Sequence, residues 1–360
     1  MRIHGRLIAL FSFDVGYEIL LDRARVLLAE GTSGEIERRR AAPTYVAYAA
    51  PPLRVPLGTH HLTVLDEPYP AAASATIHDL GAVTIALQWP IARDIDALPE
   101  LTGYLVGTGA LEATARTLLG SLLERIGPAV IRPEATTVVE DYYVVQIDPT
   151  GLPAIEDLVW RHENALAATL RGERHALSTQ EARAVLANRF SYYPDDLIVT
   201  DWNVAVIIDR DYADAVSVLE FLNVQLVELR HYDARLDALV ASFYSLSASP
   251  NGLLSLTYRP YRRTVQELGA IRLDVATIVE RVHNALKLSG SLYLAKIYAM
   301  TSERLGMRVW EESVARKLDV LQKIYEVMVQ RTATARAELL ETAIVVLIVL
   351  EIVLFFVMGF

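Results

Sequence analysis

The side chains best suited to chemistry are eight histidines and 44 acids. The chain has no cysteine to supply a thiolate, a disulfide or a sulfur-ligated zinc or iron–sulfur site. His4, His60, His61, His78, His162, His175, His231 and His283 are scattered, with no HExxH or other compact ligand spacing. His60 and His61 are neighbours in GTHHL. Adjacent residues on a strand point to opposite faces, which argues against a metal site there. No GxSxG elbow, Walker loop or EF-hand loop occurs. Asp195–Asp196 and Glu311–Glu312 read as solvated turn and helix-start positions. Catalytic carboxylate pairs come from distant parts of a chain and leave no local mark. The expectation is a non-enzymatic protein without cofactor or metal. The alternative is an enzyme with a carboxylate site in residues 1–210.

Arg38, Arg39 and Arg40, followed by Tyr45 and Tyr48, form the one basic–aromatic cluster, a pattern suited to RNA phosphates and stacked bases. A net charge of −10 argues against a general nucleic-acid binder, which needs a basic surface. A solvated loop is the plainer reading of the three arginines. Glu351 is the most anomalous single residue, one acid inside the apolar run TAIVVLIVLEIVLFFVMGF from Thr342 to Phe360. An acid at bilayer depth is by default a functional candidate, through an interhelical hydrogen bond or proton handling.

The elements that must position these residues fall into two parts. Arg2–Phe13 reads as a strand and Tyr17–Ala29 as an amphipathic helix. Residues 32–75 are rich in Pro, Gly and Ala, with short candidate strands at Thr44–Ala49 and His61–Leu65. Gly81–Pro90, Tyr142–Ile147, Leu197–Thr200 and Val204–Ile208 carry strand signals. Helical patterns lie at Asp94–Ile126, Ala154–Leu170 and Thr179–Asn188. With no strict βαβ repeat, residues 1–210 are expected to be an α+β sheet domain. From Tyr212 onward only helices are expected. They lie near Tyr212–Leu246, Thr264–Leu288 and Leu292–Leu305, and a final one starts near Trp310.

The last helix carries a seam at Val314, Leu318, Leu321, Tyr325, Met328, Thr332, Ala335 and Leu339, spaced four and three apart as in a coiled coil. It packs either on the chain's own helices or on a second copy. Residues 211–341 thus form a helical domain, and 342–360 a C-terminal transmembrane anchor of roughly 28 Å. Arg331 and Arg336 precede the apolar run, which places the N-terminal part in the cytoplasm under the positive-inside rule. Extending the heptads leaves Glu351 at an outer position, which a simple dimer would turn toward lipid.

Three runs, EFLNVQLVELRHYDARLD (220–237), KLSGSLYLAKIYAMTSERL (287–305) and WEESVARKLDVLQKIY (310–325), resemble the required-for-meiotic-nuclear-division, or YagE-like, family. That resemblance implies a membrane-anchored α+β protein with a helical hairpin, in some relatives a mitochondrial tether supporting translation. The expected function is a tail-anchored scaffold at the cell membrane, single-pass and self-associating, that recruits a cytoplasmic protein partner. A ribosome or RNA tether is the alternative.

Overall fold

The computed structural model describes residues 1–29, 51–134, 138–248, 273 and 292–358. Arg38, Arg39 and Arg40, the Thr44–Ala49 run and most of Thr264–Leu288 lie outside these. The chain divides into two compact units, Met1–His231 with Ile278–Trp310, and Tyr232–Thr277 with Glu311–Phe360.

The first unit is α+β. Its central strand, β1 (Arg2–Asp14), is buried from Leu7 onward, as a strand covered on both faces must be. A short strand β2 (Gly16–Ile19) and helix α1 (Leu21–Ala29) follow. The hairpin β3 (Leu53–Val64) and β4 (Glu67–Ile77) leads to β5 (Ala82–Asp94), α2 (Leu98–Thr108) and α3 (Glu112–Ile126). Next come β6 (Val130–Pro133), β7 (Val139–Ile147), α4 (Ile155–Arg161), α5 (Glu163–Arg171) and α6 (Thr179–Leu186). The unit continues with β8 (Arg189–Phe190), β9 (Leu197–Thr200), β10 (Val204–Ile208) and the first part of α7 (Ala213–Ala248). Helix α8 (Leu292–Arg304) and the first residues of the next helix also belong to it.

Eight strands form one mixed sheet in the order β3-β4-β5-β1-β7-β10-β9-β8, and β2 pairs with β6 separately. Among the described residues only β7 and β10 pair in parallel, and the long crossover that such a pair requires holds α4 to α6. On β1, Asp94 faces Arg2 and Ala82 faces Asp14 across β5, while Ile147 faces Gly5 across β7. A side chain at Gly5 would strike the Gln146 carbonyl oxygen, which a Cβ would approach to 1.9 Å, so this close backbone approach demands glycine. Gly81 meets the same demand twice over, with φ of 98° and the Gly16 carbonyl 1.8 Å from its missing Cβ.

Alternation along β1 sorts its side chains between two layers. Leu7, Ala9, Phe11 and Phe13 join Tyr143, Val145, Leu101, Leu119 and Leu166 in the main hydrophobic core with α2, α3 and α5. Ile8, Leu10 and Ser12 point the other way, toward α7. There the Asn223 amide donates to Ser12 Oγ (3.2 Å) and to the Glu140 carbonyl oxygen (2.9 Å), and Ser12 shares a 2.8 Å hydrogen bond with Thr84.

The β3–β4 hairpin differs most from its sequence pattern. Pro56, Pro68 and Pro70 lower a strand reading, yet Pro56 lies on the edge strand β3 where its register shifts, and Pro68 and Pro70 lie on β4 before its pairing with β5 begins at Ala72, positions where proline is tolerated. Its turn uses Leu65 and Asp66 at φ of 51° and 61°, a geometry normally signalled by Asn-Gly. Likewise Gly16–Ile19 is a strand rather than the start of a helix, because β6 offers it a partner.

In the second unit the described elements are the remainder of α7 and most of α9 (Met307–Met358). Lys317 Nζ lies 2.8 Å from Asp233 Oδ1 and 2.6 Å from Asp237 Oδ1, and Ser313 donates to Asp233. Val314 and Leu321 are buried, as are Leu236 and Leu239. The first part of the seam therefore packs inside the chain.

Among the described residues no helix is long and apolar enough to cross a membrane. The apolar end of α9 carries two acids, Glu341 and Glu351, and an acid at bilayer depth is costly. A span needs about 20 apolar residues. The absence of such a helix overturns the transmembrane anchor and the single-pass cell-membrane placement. Glu351 is an exposed residue of α9, and an intramembrane role has no span to rest on.

Candidate functional site

Strand β1 begins at the end of the sheet where β5, β7 and β10 finish and β4 starts. These strand ends surround an open cleft of about 930 Å³. His4 and Arg6 come from β1, Glu67 and Tyr69 from β4, and Arg93 from β5. Gln146 and Asp148 come from the end of β7, and Arg210 and Tyr212 from the connection into α7. The sheet pleat puts His4 and Arg6 on one face, with Ala92 and Pro90 opposite them on β5 and Gln146 opposite Arg6 on β7.

The charges of the cleft are unequally satisfied. Arg93 Nη2 donates to Glu67 Oε2 (2.8 Å) and to the Tyr69 oxygen (2.8 Å), and the Tyr69 hydroxyl itself donates to Glu67. The hydrogen bond from Tyr69, then the Arg93 charge, holds the Glu67 carboxyl below its ordinary range. Burial pushes the Tyr69 hydroxyl up. Asp148 accepts from the Thr150 hydroxyl (2.6 Å) and backbone N–H (2.8 Å), which hold its carboxyl below the ordinary range as well. Arg210 donates to the Thr150 hydroxyl at 3.2 Å. The exposed Arg6 has no hydrogen bond or ion pair among the described residues. Two carboxylates of the lining, Glu67 and Asp148, thus face three guanidiniums, and Arg6 on β1 is left without a matching acid among the described residues.

Sequence reasoning missed this site because its residues are spread over more than 200 positions. The only local trace was polar alternation in β1, where His4 and Arg6 share a parity with buried Ile8 and Leu10. The candidates it named fall elsewhere. Arg38, Arg39 and Arg40 lie outside the described residues. Among the seam residues, Val314 and Leu321 are internal and Leu318 is half-buried. The side chains of Tyr325, Met328 and Leu339 lie outside the described set. His60 and His61 lie on β3, and the His60 ring is 3.0 Å from the Leu57 carbonyl oxygen.

Residues 4–214 match the family described as the N-terminal domain of uncharacterized protein MJ0711, and the chain belongs to that family. The uncharacterized protein MJ0711 of Methanocaldococcus jannaschii is 24% identical over 201 residues, which cover 55% of this chain and 61% of that relative. The chain thus spans less than two thirds of the relative's length. No solved structure matches. The family is one of unknown function, and the matched span stops before all three runs that resemble the YagE-like family. The shared domain therefore carries the MJ0711 description and not the meiotic or YagE-like one.

Proposed function

We propose that this member of the MJ0711 N-terminal domain family is a binding protein whose sheet-end cleft takes a small anionic ligand bearing a phosphate or carboxylate group. One observation carries the reading: Arg6 projects into the cleft without an acid partner among the described residues, in a chain whose net charge is −10. A guanidinium on a strand matches the two oxygens of a phosphate or carboxylate and holds its geometry at little entropic cost. Glu67 and Asp148 are held toward their ionised forms, which suits them to orienting the arginines rather than to donating a proton near neutrality. Binding without catalysis is therefore the preferred reading over a carboxylate enzyme.

Calorimetric titration of the full chain with inorganic phosphate and pyrophosphate tests it. One saturable equivalent is expected, weakened about tenfold or more in Arg6→Ala. Absence of binding, or binding indifferent to Arg6→Ala, would overturn the site. Turnover of pyrophosphate would overturn the non-enzymatic part.

A second reading rests on a different observation. The described side chains from Leu340 to Leu354 are exposed and mostly apolar. Contiguous exposed apolar surface of this kind marks an interaction face, and a second copy of α9 offers a matching one. Sedimentation of the full chain should show an oligomer that Ile348→Glu dissociates; a monomer, or an oligomer unmoved by that change, removes the reading. With both surfaces in use the protein is a scaffold joining a ligand-bearing partner to its own assembly. Kinship of residues 220–325 with the YagE-like family is a proposal for this second part of the chain. A ribosome or RNA tether has less support, since its basic cluster lies outside the described residues and the net charge opposes it.

A further inference from the structure

At the far end of β1 from the cleft, three side chains converge from separate elements of the first unit. Asp14 closes β1 and is buried, Glu134 follows β6, and His231 lies on α7. His231 Nδ1 is 2.7 Å from Asp14 Oδ2, and His231 Nε2 is 3.2 Å from Glu134 Oε2. One donor atom from each residue lies within 4.8 Å of the other two.

Each contact has a separate chemical meaning. Asp14 is itself fixed, since its Oδ1 accepts from the Gly16 N–H at 3.2 Å. A buried, anchored carboxylate on Nδ1 sets the tautomer of an imidazole and aims the Nε2 lone pair outward, the arrangement that supports metal-bound histidines. That lone pair then faces a carboxylate oxygen at 3.2 Å, a repulsive pairing unless a proton or a cation lies between them. Two donors each about 2.1 Å from one ion and at roughly a right angle to each other stand about 3.0 Å apart, and about 3.4 Å at the tetrahedral angle. The observed spacing falls between these. The Glu134 side chain is one third exposed, which leaves water free to complete the coordination.

We infer that Asp14, Glu134 and His231 form a binding site for a divalent transition-metal cation. His231 Nε2 and Glu134 are the direct ligands, and Asp14 is the positioning carboxylate, close enough to become a third ligand. One nitrogen and carboxylate oxygens suit zinc, manganese or ferrous iron better than calcium. The site joins two residues of the matched family span to one on the helix beyond it. It departs from the expectation of no metal, which rested on local motifs, because these residues are separated by 120 and 97 positions and leave no ligand motif. It does not depend on the anion cleft.

The test uses full-length protein stripped with a chelator, titrated with Zn²⁺ by calorimetry and with Co²⁺ by visible absorption. One equivalent of Zn²⁺ and a visible Co²⁺ band are expected. His231→Ala should abolish the band, and Glu134→Gln and Asp14→Asn should each weaken Zn²⁺ binding about tenfold or more. His60→Ala with His61→Ala should leave the stoichiometry unchanged. Failure to take up one equivalent, or uptake that survives His231→Ala, overturns the site and leaves a proton in the gap. If His231→Ala does not fold by circular dichroism, Glu134→Gln decides, and an unchanged Zn²⁺ affinity in that variant overturns the site.

Discussion

Where β1 begins, Glu67 and Asp148 are exposed and held below their ordinary range by hydrogen bonds from Tyr69 and Thr150. Where β1 ends, burial dominates instead: it pushes His78 down to about 3 and Glu140 up to about 7, the latter against the pull of Arg230. Both buried shifts favour the neutral form, and both exposed ones favour the charged form. The same strands thus carry a wet end, where charge is retained for a ligand, and a dry end, where charge is tolerated only when matched. The dry end also holds Asp201, whose 1% exposed carboxylate lies 2.8 Å from Arg304 Nε and 3.1 Å from Arg171 Nη1.

The largest effect should come from unmatching the dry end. Asp201→Ala leaves two arginines facing each other; because each keeps about a quarter of its side chain in solvent, the loss should sit at the low end for a broken buried pair, about 3 kcal/mol by denaturant unfolding.

Two titrations sharpen the contrast next. His78 has a folded value of about 3, below its unfolded value, so its contribution is present above about pH 6.5 and is lost as pH falls toward 3. Glu140 runs the other way: its contribution is full below about pH 4.5 and is lost as pH rises through 7. Between pH 7 and pH 5 each is worth about 2 kcal/mol with opposite sign, so the parent protein should change little. His78→Gln should be more stable at pH 5 than at pH 7, and Glu140→Gln less stable. Parallel pH profiles for the two variants would break the comparison.

Asn223→Ala tests the neutral layer between the ends. It removes a hydrogen bond to the Glu140 carbonyl oxygen and another to Ser12 Oγ, at about 1–2 kcal/mol in the same assay. Smallest of all, Arg6→Ala at the wet end should move stability by less than about 0.5 kcal/mol while weakening phosphate binding. A large stability loss would mean that Arg6 is structural.

Much of the framework was legible. Leu197–Thr200 and Val204–Ile208 are dense β-branched runs flanked by polar residues, and both are strands with those bounds. The helix expected near Leu292–Leu305 matches α8, and Gly306 just after it adopts φ of 62°, a left-handed geometry suited to a helix end. Of the β3–β4 hairpin only the His61–Leu65 run was legible, because its Leu65–Asp66 turn lacks a turn signature and its prolines are tolerated only where a strand lacks a neighbour on one side. Hydropathy overreached at 342–360: no helix among the described residues is long and apolar enough to cross a membrane, and Glu341 and Glu351 interrupt the apolar end of α9. The cleft was invisible for another reason: arginines at 6, 93 and 210 look like ordinary surface charges until strand pairing places them together.

From the residues alone came the α+β character of the described part of the first 210 positions, the helices among the described residues beyond them and the absence of cysteine chemistry. These depend on local periodicity and on residue type, which a chain carries whatever its fold. Tertiary structure decided which ionisable groups meet and which remain in water. Asp14, Glu134 and His231 converge, and Arg6 has no acid partner among the described residues, because of β-sheet register and the placement of α7 across one face. Both arise from long-range pairing that no window of sequence contains.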